Sequence, residues 1–229
     1  VRKIDGVWTP TAAAVAAGAK IRPLPDGGWY PVWKPYSKLV MDTFREAWKI
    51  KKTMTKNFRY DSARKLFFLD TYVPLTSGYE QDRFSEILLG LKKRNRTSLD
   101  YFIKKLSCLR NLDFYVCTVP GHDPKKSTGI DELAQRMSEE MLCRKLTQYF
   151  RRKRKVEPQH KLSKDSKKSP SEVMKTLKIT DTKKFEGKRI VLLDDITTTG
   201  NTIKGARKFI ADKTDAKEVR VLVLGKTRR

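Results

Sequence analysis

The chain has 229 residues, 38% of them hydrophobic, with 51 Lys and Arg against 26 Asp and Glu for a formal net charge of +25. That length and apolar content support a globular protein with one core of ordinary domain size plus a smaller appendage, and no run approaches the ~20 apolar residues of a membrane-spanning helix. The charge suits polyanions, nucleic acid foremost, although part of it could serve a highly phosphorylated substrate.

Residues 1–60 read as an irregular aromatic and basic segment whose fold the sequence leaves open. Thr11–Ala19 is too weakly hydrophobic for a signal core. Trp8, Trp29, Tyr30, Trp33, Tyr36 and Trp48 lie among prolines and glycines, and Pro23–Pro35 reads as turns. Such rings either stack bases or fill a small core, and proximity to prolines favours the core. Ser37–Lys52 predicts an amphipathic helix and Phe67–Val73 a strand. A further helix is expected over Glu80–Arg94, with Phe84, Ile87, Leu88 and Leu91 at helical spacing. Leu99, Phe102, Ile103 and Leu106 mark another after a Thr97-Ser98 start signal.

Leu112–Pro120 (LDFYVCTVP) predicts a buried strand. The polar loop GHDPKKSTG follows, then a helix with Leu133, Ala134, Met137 and Met141 on one face. The block Arg151-Arg152-Lys153-Arg154-Lys155, continued by Lys161, Lys164, Lys167 and Lys168, lacks apolar periodicity, so residues 150–170 read as a basic flexible loop. The cysteines, Cys108, Cys117 and Cys143, form no C-x-x-C pair. No zinc site is readable, and the usage fits a reducing, cytoplasmic setting, with Cys117 a core residue.

The most informative segment is VLLDDITTTGNT. Ile190–Leu193 reads as a buried parallel strand, and Asn201–Ile210 restores helical spacing through Ile203, Ala206 and Ile210. The loop between them joins a strand to a helix N-terminus, where free amides and the macrodipole attract an anion. Gly200 permits close approach of a phosphate, and Thr197, Thr198, Thr199 and Thr202 add hydroxyls beside Asn201. Asp194 and Asp195, at the carboxyl edge of the strand, suit the two vicinal hydroxyls of a ribose, each donating to an ionised oxygen.

The string hydrophobic-Asp-Asp-hydrophobic-x-Thr-Thr-Gly-x-Thr resembles the phosphoribosyl pyrophosphate (PRPP) motif of type I phosphoribosyltransferases. The Val-Pro strand end, the loop into an amphipathic helix, an Arg-x-x-x-x-x-Pro-Gln stretch and a closing Lys-Thr-Arg resemble the ComF family in particular. That likeness covers roughly the C-terminal half and, weakly, the helix around Lys92. This chain departs from it in lacking a four-cysteine zinc ribbon, at Thr128-Gly129-Ile130-Asp131-Glu132, and over Lys164–Pro170.

The resemblance implies an α/β fold, a parallel sheet flanked by helices, over residues 61–229. It implies PRPP as ligand and transfer of its phosphoribosyl group to an unidentified nitrogen acceptor. Asp194 and Asp195 would then be the catalytic pair and Thr197–Thr202 the phosphate loop. Gly121, His122, Asp123 and Lys125 would face pyrophosphate, with Arg154, Gln159 and His160 on a closing basic loop. Magnesium is expected as a substrate-bound cofactor, with no ion held by protein ligands alone. The second reading is a catalytically weak sensor or effector that binds PRPP or a nucleotide, associates with DNA or RNA through its basic surface, and works in an oligomer or larger assembly.

Overall fold

The computed structural model describes residues 2–4, 7–9, 20–23, 29–32, 38–141, 143–157 and 169–228, with backbone alone before residue 48. It divides into the units Val1–Glu46 and Ala47–Arg229. In the first, β1 (Arg2–Ile4) pairs antiparallel with β2 (Val7–Thr9), and β3 (Lys20–Pro23) with β4 (Trp29–Val32). Trp8, Trp29 and Tyr30 therefore sit on strands. Trp33 and Tyr36 lie outside the described residues.

Helix α1 (Lys38–Asn57) runs one turn beyond the expected Lys52, and its last turns bury Ile50 and Met54. Trp48, expected in a core, is 59% exposed, with the Lys52 ammonium 4.6 Å from its ring centroid. Then follow β5 (Arg59–Asp61), β6 (Leu66–Tyr72), α2 (Arg83–Lys92), α3 (Arg96–Leu106), β7 (Tyr115–Thr118) and α4 (Gly129–Glu140). The chain continues with β8 (Arg144–Lys145), β9 (Phe150–Arg152), α5 (Pro170–Lys175), β10 (Leu177–Ile179), β11 (Arg189–Thr197), α6 (Asn201–Lys213) and β12 (Glu218–Thr227).

Six strands form one sheet in the order β5-β6-β12-β11-β7-β8, parallel throughout except for the β5–β6 hairpin. Register places Ile190 beside Val219 and Tyr115, and Leu193 beside Leu222 and Thr118. The central strands are covered on both faces, which is why they read as unbroken apolar runs. Alternation sends Val191, Leu193 and Leu222 toward α2, α3 and α4, and Ile190, Leu192 and Val221 toward α6, Phe150 and Phe185. Cys117 is fully buried on the second face, and burial raises its thiol pKa, with the Asp131 charge acting the same way. Among the described residues no helix is long and apolar enough to cross a membrane.

Two local expectations change. Helix α3 starts at Arg96 because Asn95 is its cap, accepting from the Ser98 amide at 3.2 Å; Ser98 itself is buried in the first turn. The expected loop 150–170 is ordered at both ends: β9 pairs antiparallel with β10, and Ser169 caps α5 through a capping box with Glu172. Residues 158–168 lie outside the described residues.

Candidate functional site

The sheet opens where β7 ends. Strand β11 pairs with β7 only as far as Leu193↔Thr118, and the Val119 amide makes a last bond to the Leu193 carbonyl at 2.9 Å, whereas pairing with β12 runs on to Thr197↔Lys226. Asp194 and Asp195 thus emerge with one flank free, at the carboxyl ends of parallel strands. Asp194 Oδ1 accepts from the Asp195 amide at 3.0 Å and Asp195 Oδ1 from the Ile196 amide at 2.5 Å, so both carboxylates are oriented by the chain itself.

These two acids lie in a cleft of about 510 Å³ whose lining includes the whole Thr197–Thr202 loop, Gly121, His122 and Lys126–Ile130. Gly200 caps α6 at φ +84°, the left-handed region open to glycine, and it contributes no side chain to the helix's first amides. The opposite helix, α4, is closed instead. Thr128 and Asp131 form a capping box, and Asp131 Oδ1 also accepts the Thr118 hydroxyl at 2.6 Å. Both helix starts meet the cleft, and it is α6 whose cap residue supplies no side-chain oxygen. Gly129 is required for packing, because a Cβ there would lie 1.8 Å from the Leu91 carbonyl oxygen.

Three residues outside the expected set complete the site. Lys92, the last residue of α2, places its ammonium 3.4 Å from Asp195 Oδ2. Arg152 is buried on β9, donates to the Gly121 carbonyl at 3.3 Å and bonds the Thr176 hydroxyl. Glu157 lies on the cleft wall, and the neighbouring Val156 amide ties this segment to the His122 carbonyl at 2.9 Å. Loss of hydration at the base of the cleft raises the Asp194 carboxyl well above its usual range. Asp195 pushes the same way, while the Asp195 amide and the charges of Lys92 and Arg152 pull back. Burial lowers the Arg152 pKa, and the nearby Asp194 partly restores it.

Among the described residues, Asp123, Lys125 and Arg154 are not in the cleft lining. Asp123 accepts from the Lys125 amide at 3.0 Å inside their own turn, and neither lines the cavity. Arg154 is exposed on the bend after β9, away from the lining, and Gln159 and His160 lie outside the described residues. The basic block conceals a strand in which Phe150 and Arg152 point in and Arg151 points out, so alternation selects Arg152 rather than Arg154. Two local signals marked it: a period-two reading of FRR, and the Arg of the Arg-x-x-x-x-x-Pro-Gln stretch, which is Arg152. Lys92 and Glu157 had no comparable signal.

Residues 131–228 match the family model of the phosphoribosyl transferase domain. The match supports the type I phosphoribosyltransferase superfamily and, with it, phosphoribosyl transfer in general as the activity class and a ribose phosphate as substrate. The sheet carries the same architecture upstream of the matched residues, through β5, β6 and β7. No curated protein matches the chain.

Proposed function

We propose that the cleft binds PRPP and transfers its phosphoribosyl group to a nitrogen nucleophile with release of pyrophosphate, in the manner of a ComF-like phosphoribosyltransferase. The observation that carries this reading is the convergence of Asp194, Asp195 and the Thr197–Thr202 loop on one cavity at the carboxyl edge of the sheet. The loop amides and hydroxyls, assisted by the α6 dipole, would hold the 5-phosphate. The two carboxylates would accept from the ribose diol and favour positive charge developing at the anomeric carbon. Arg152, bonded to the Gly121 carbonyl, and Lys92, paired with Asp195, would supply cations for a departing diphosphate.

Among the described residues no three His, Cys, Asp or Glu side chains group to hold a metal ion. Two adjacent carboxylates plus hydroxyls fit magnesium that arrives on the diphosphate oxygens and keeps its water; when bound it would neutralise charge on the leaving group. Asp194 and Asp195 would be the residues to hold it from the protein side.

A second reading, a ribose-phosphate sensor of weak turnover that holds DNA or RNA on its basic surface, draws on the net charge of +25 and on Asp131. Both of its carboxylate oxygens are committed, to Thr118 and to Thr128, so the Thr128–Glu132 segment presents helix-capping groups where substrate contacts are expected. Incubation of the protein with PRPP, magnesium and a panel of nitrogen bases distinguishes the two. Release of pyrophosphate dependent on one base supports the transferase. Binding of PRPP without release supports the sensor, and no binding of PRPP removes the transferase.

A further inference from the structure

The turn between β5 and β6 is a separate device on the outer side of the phosphate loop. Asp61, 7% exposed, accepts from the Arg64 amide at Oδ1, 3.0 Å, and from the Arg64 guanidinium at Oδ2, 2.6 Å, and the Lys226 ammonium approaches the same Oδ2 at 2.8 Å. Arg64 in turn donates from Nε to the Thr199 carbonyl at 3.3 Å. Its Cδ lies 3.1 Å from where a Cβ on Gly200 would stand. A third tie joins Thr198 Oγ1 to Thr227 Oγ1 at 3.1 Å. The loop is therefore gripped from behind by β5, β6 and β12, and β5 and β6 belong to the part of the chain that precedes residues 131–228.

A trans peptide points its C=O and the following N–H in opposite directions. With the Thr199 oxygen drawn outward onto Arg64, the Gly200 N–H is turned the other way, toward the cleft that Gly200 lines. The Gly200 carbonyl is fixed as well, since it accepts from the Lys204 amide at 2.8 Å. Both peptide planes at the anion end of α6 are thus set before any ligand arrives.

We infer that Arg64 is a positioning residue for the phosphate loop: anchored on Asp61, it holds the Thr199 carbonyl outward so that the Gly200 amide faces the 5-phosphate of the ligand. Arg64 does not touch the ligand in this arrangement; it acts through the peptide it orients. The inference uses the ribose-phosphate reading only for the choice of ligand, since the clamp itself is a property of the empty protein.

Arg64→Met keeps the aliphatic stem over Gly200 and removes every side-chain donor, while Arg64→Lys keeps a single cationic donor group. Calorimetry with ribose 5-phosphate and, separately, with pyrophosphate is combined with hydrogen exchange at the Lys204 amide in the ligand-free protein. In Arg64→Met the affinity for ribose 5-phosphate should fall by ~tenfold or more, as expected on removing a charge-assisted bond that orients a donor. Pyrophosphate affinity should stay constant. Arg64→Lys should fall between, and Lys204 exchange should accelerate while that of Thr214, at the far end of α6, does not change. Equal Lys204 exchange in wild type and both variants overturns the clamp; if Arg64→Met does not fold, the Arg64→Lys comparison alone decides it. A wild type that binds no ribose 5-phosphate, with Lys204 exchange still accelerated in the variants, retains the clamp and removes the ligand reading.

Discussion

Asp194 and Asp195 are adjacent in the chain yet differ in what surrounds them. Asp195 faces the Lys92 ammonium, and Asp194 is pushed toward protonation by lost hydration and by its neighbour. A carboxyl whose pKa is raised on folding contributes stability that is complete below its unfolded value and lost as pH rises through the folded value. Asp194→Asn should therefore raise the midpoint of thermal unfolding of the ligand-free protein at pH 7, with the gain fading as pH falls from the raised folded value to the ordinary carboxylate range and absent below it; an equal or lower midpoint at pH 7 counts against the burial of this charge. Asp195→Asn has the complementary expectation. It should leave the fold intact and weaken PRPP binding by roughly ten- to a hundredfold, the ~1.5–3 kcal/mol of a hydrogen bond to a charged group, as read by calorimetry. Asp61 behaves oppositely to Asp194. Its burial alone would raise its pKa, but hydrogen bonds from Lys226 and Arg64 hold the carboxyl well below its usual 3.8. Its stabilisation is thus present above that value and is lost as pH falls toward the folded pKa.

At the scale of elements, the strand-loop-helix from β11 to α6 was legible because every group that defines it is local: an apolar run, two acids at its end, a glycine at the cap. Gly200→Ala should cost about 1–2 kcal/mol from the left-handed backbone alone, measured by urea unfolding, and more where the new Cβ meets Arg64 at 3.1 Å. The walls of the cleft were less legible because they are assembled by tertiary packing. Lys92 comes from the end of α2, Arg152 from β9 and Arg64 from a hairpin turn, each far in sequence from Asp195. Arg152 was hidden among like charges, where composition suggested a solvated run; alternation and the Arg-x-x-x-x-x-Pro-Gln spacing distinguish the inward residue. The Asn95 cap of α3 illustrates a smaller ambiguity: Asn, Thr and Ser all suit a helix start, and Ser98 is the one drawn inward.

For the whole molecule, the excess of cations must be separated into those the fold uses and those it leaves to solvent. Arg152 belongs to the first group, while Arg151, Lys153, Arg154 and Lys155 are exposed. Replacing these four by Gln should leave the fold intact and reduce the salt dependence of any binding to single-stranded DNA or RNA, by ~0.7 in the logarithmic slope for each phosphate no longer neutralised; an unchanged slope takes this segment out of the interface. The central claim concerns the cleft, and it can be tested on the intact chain. Calorimetric titration of wild type and Asp195→Asn with PRPP in the presence of magnesium should give one-to-one binding to the wild type and a weakening of roughly tenfold or more in the variant. No heat of binding to the wild type, or equal affinity in the two proteins, would contradict the assignment of the acidic pair and its loop to a ribose phosphate.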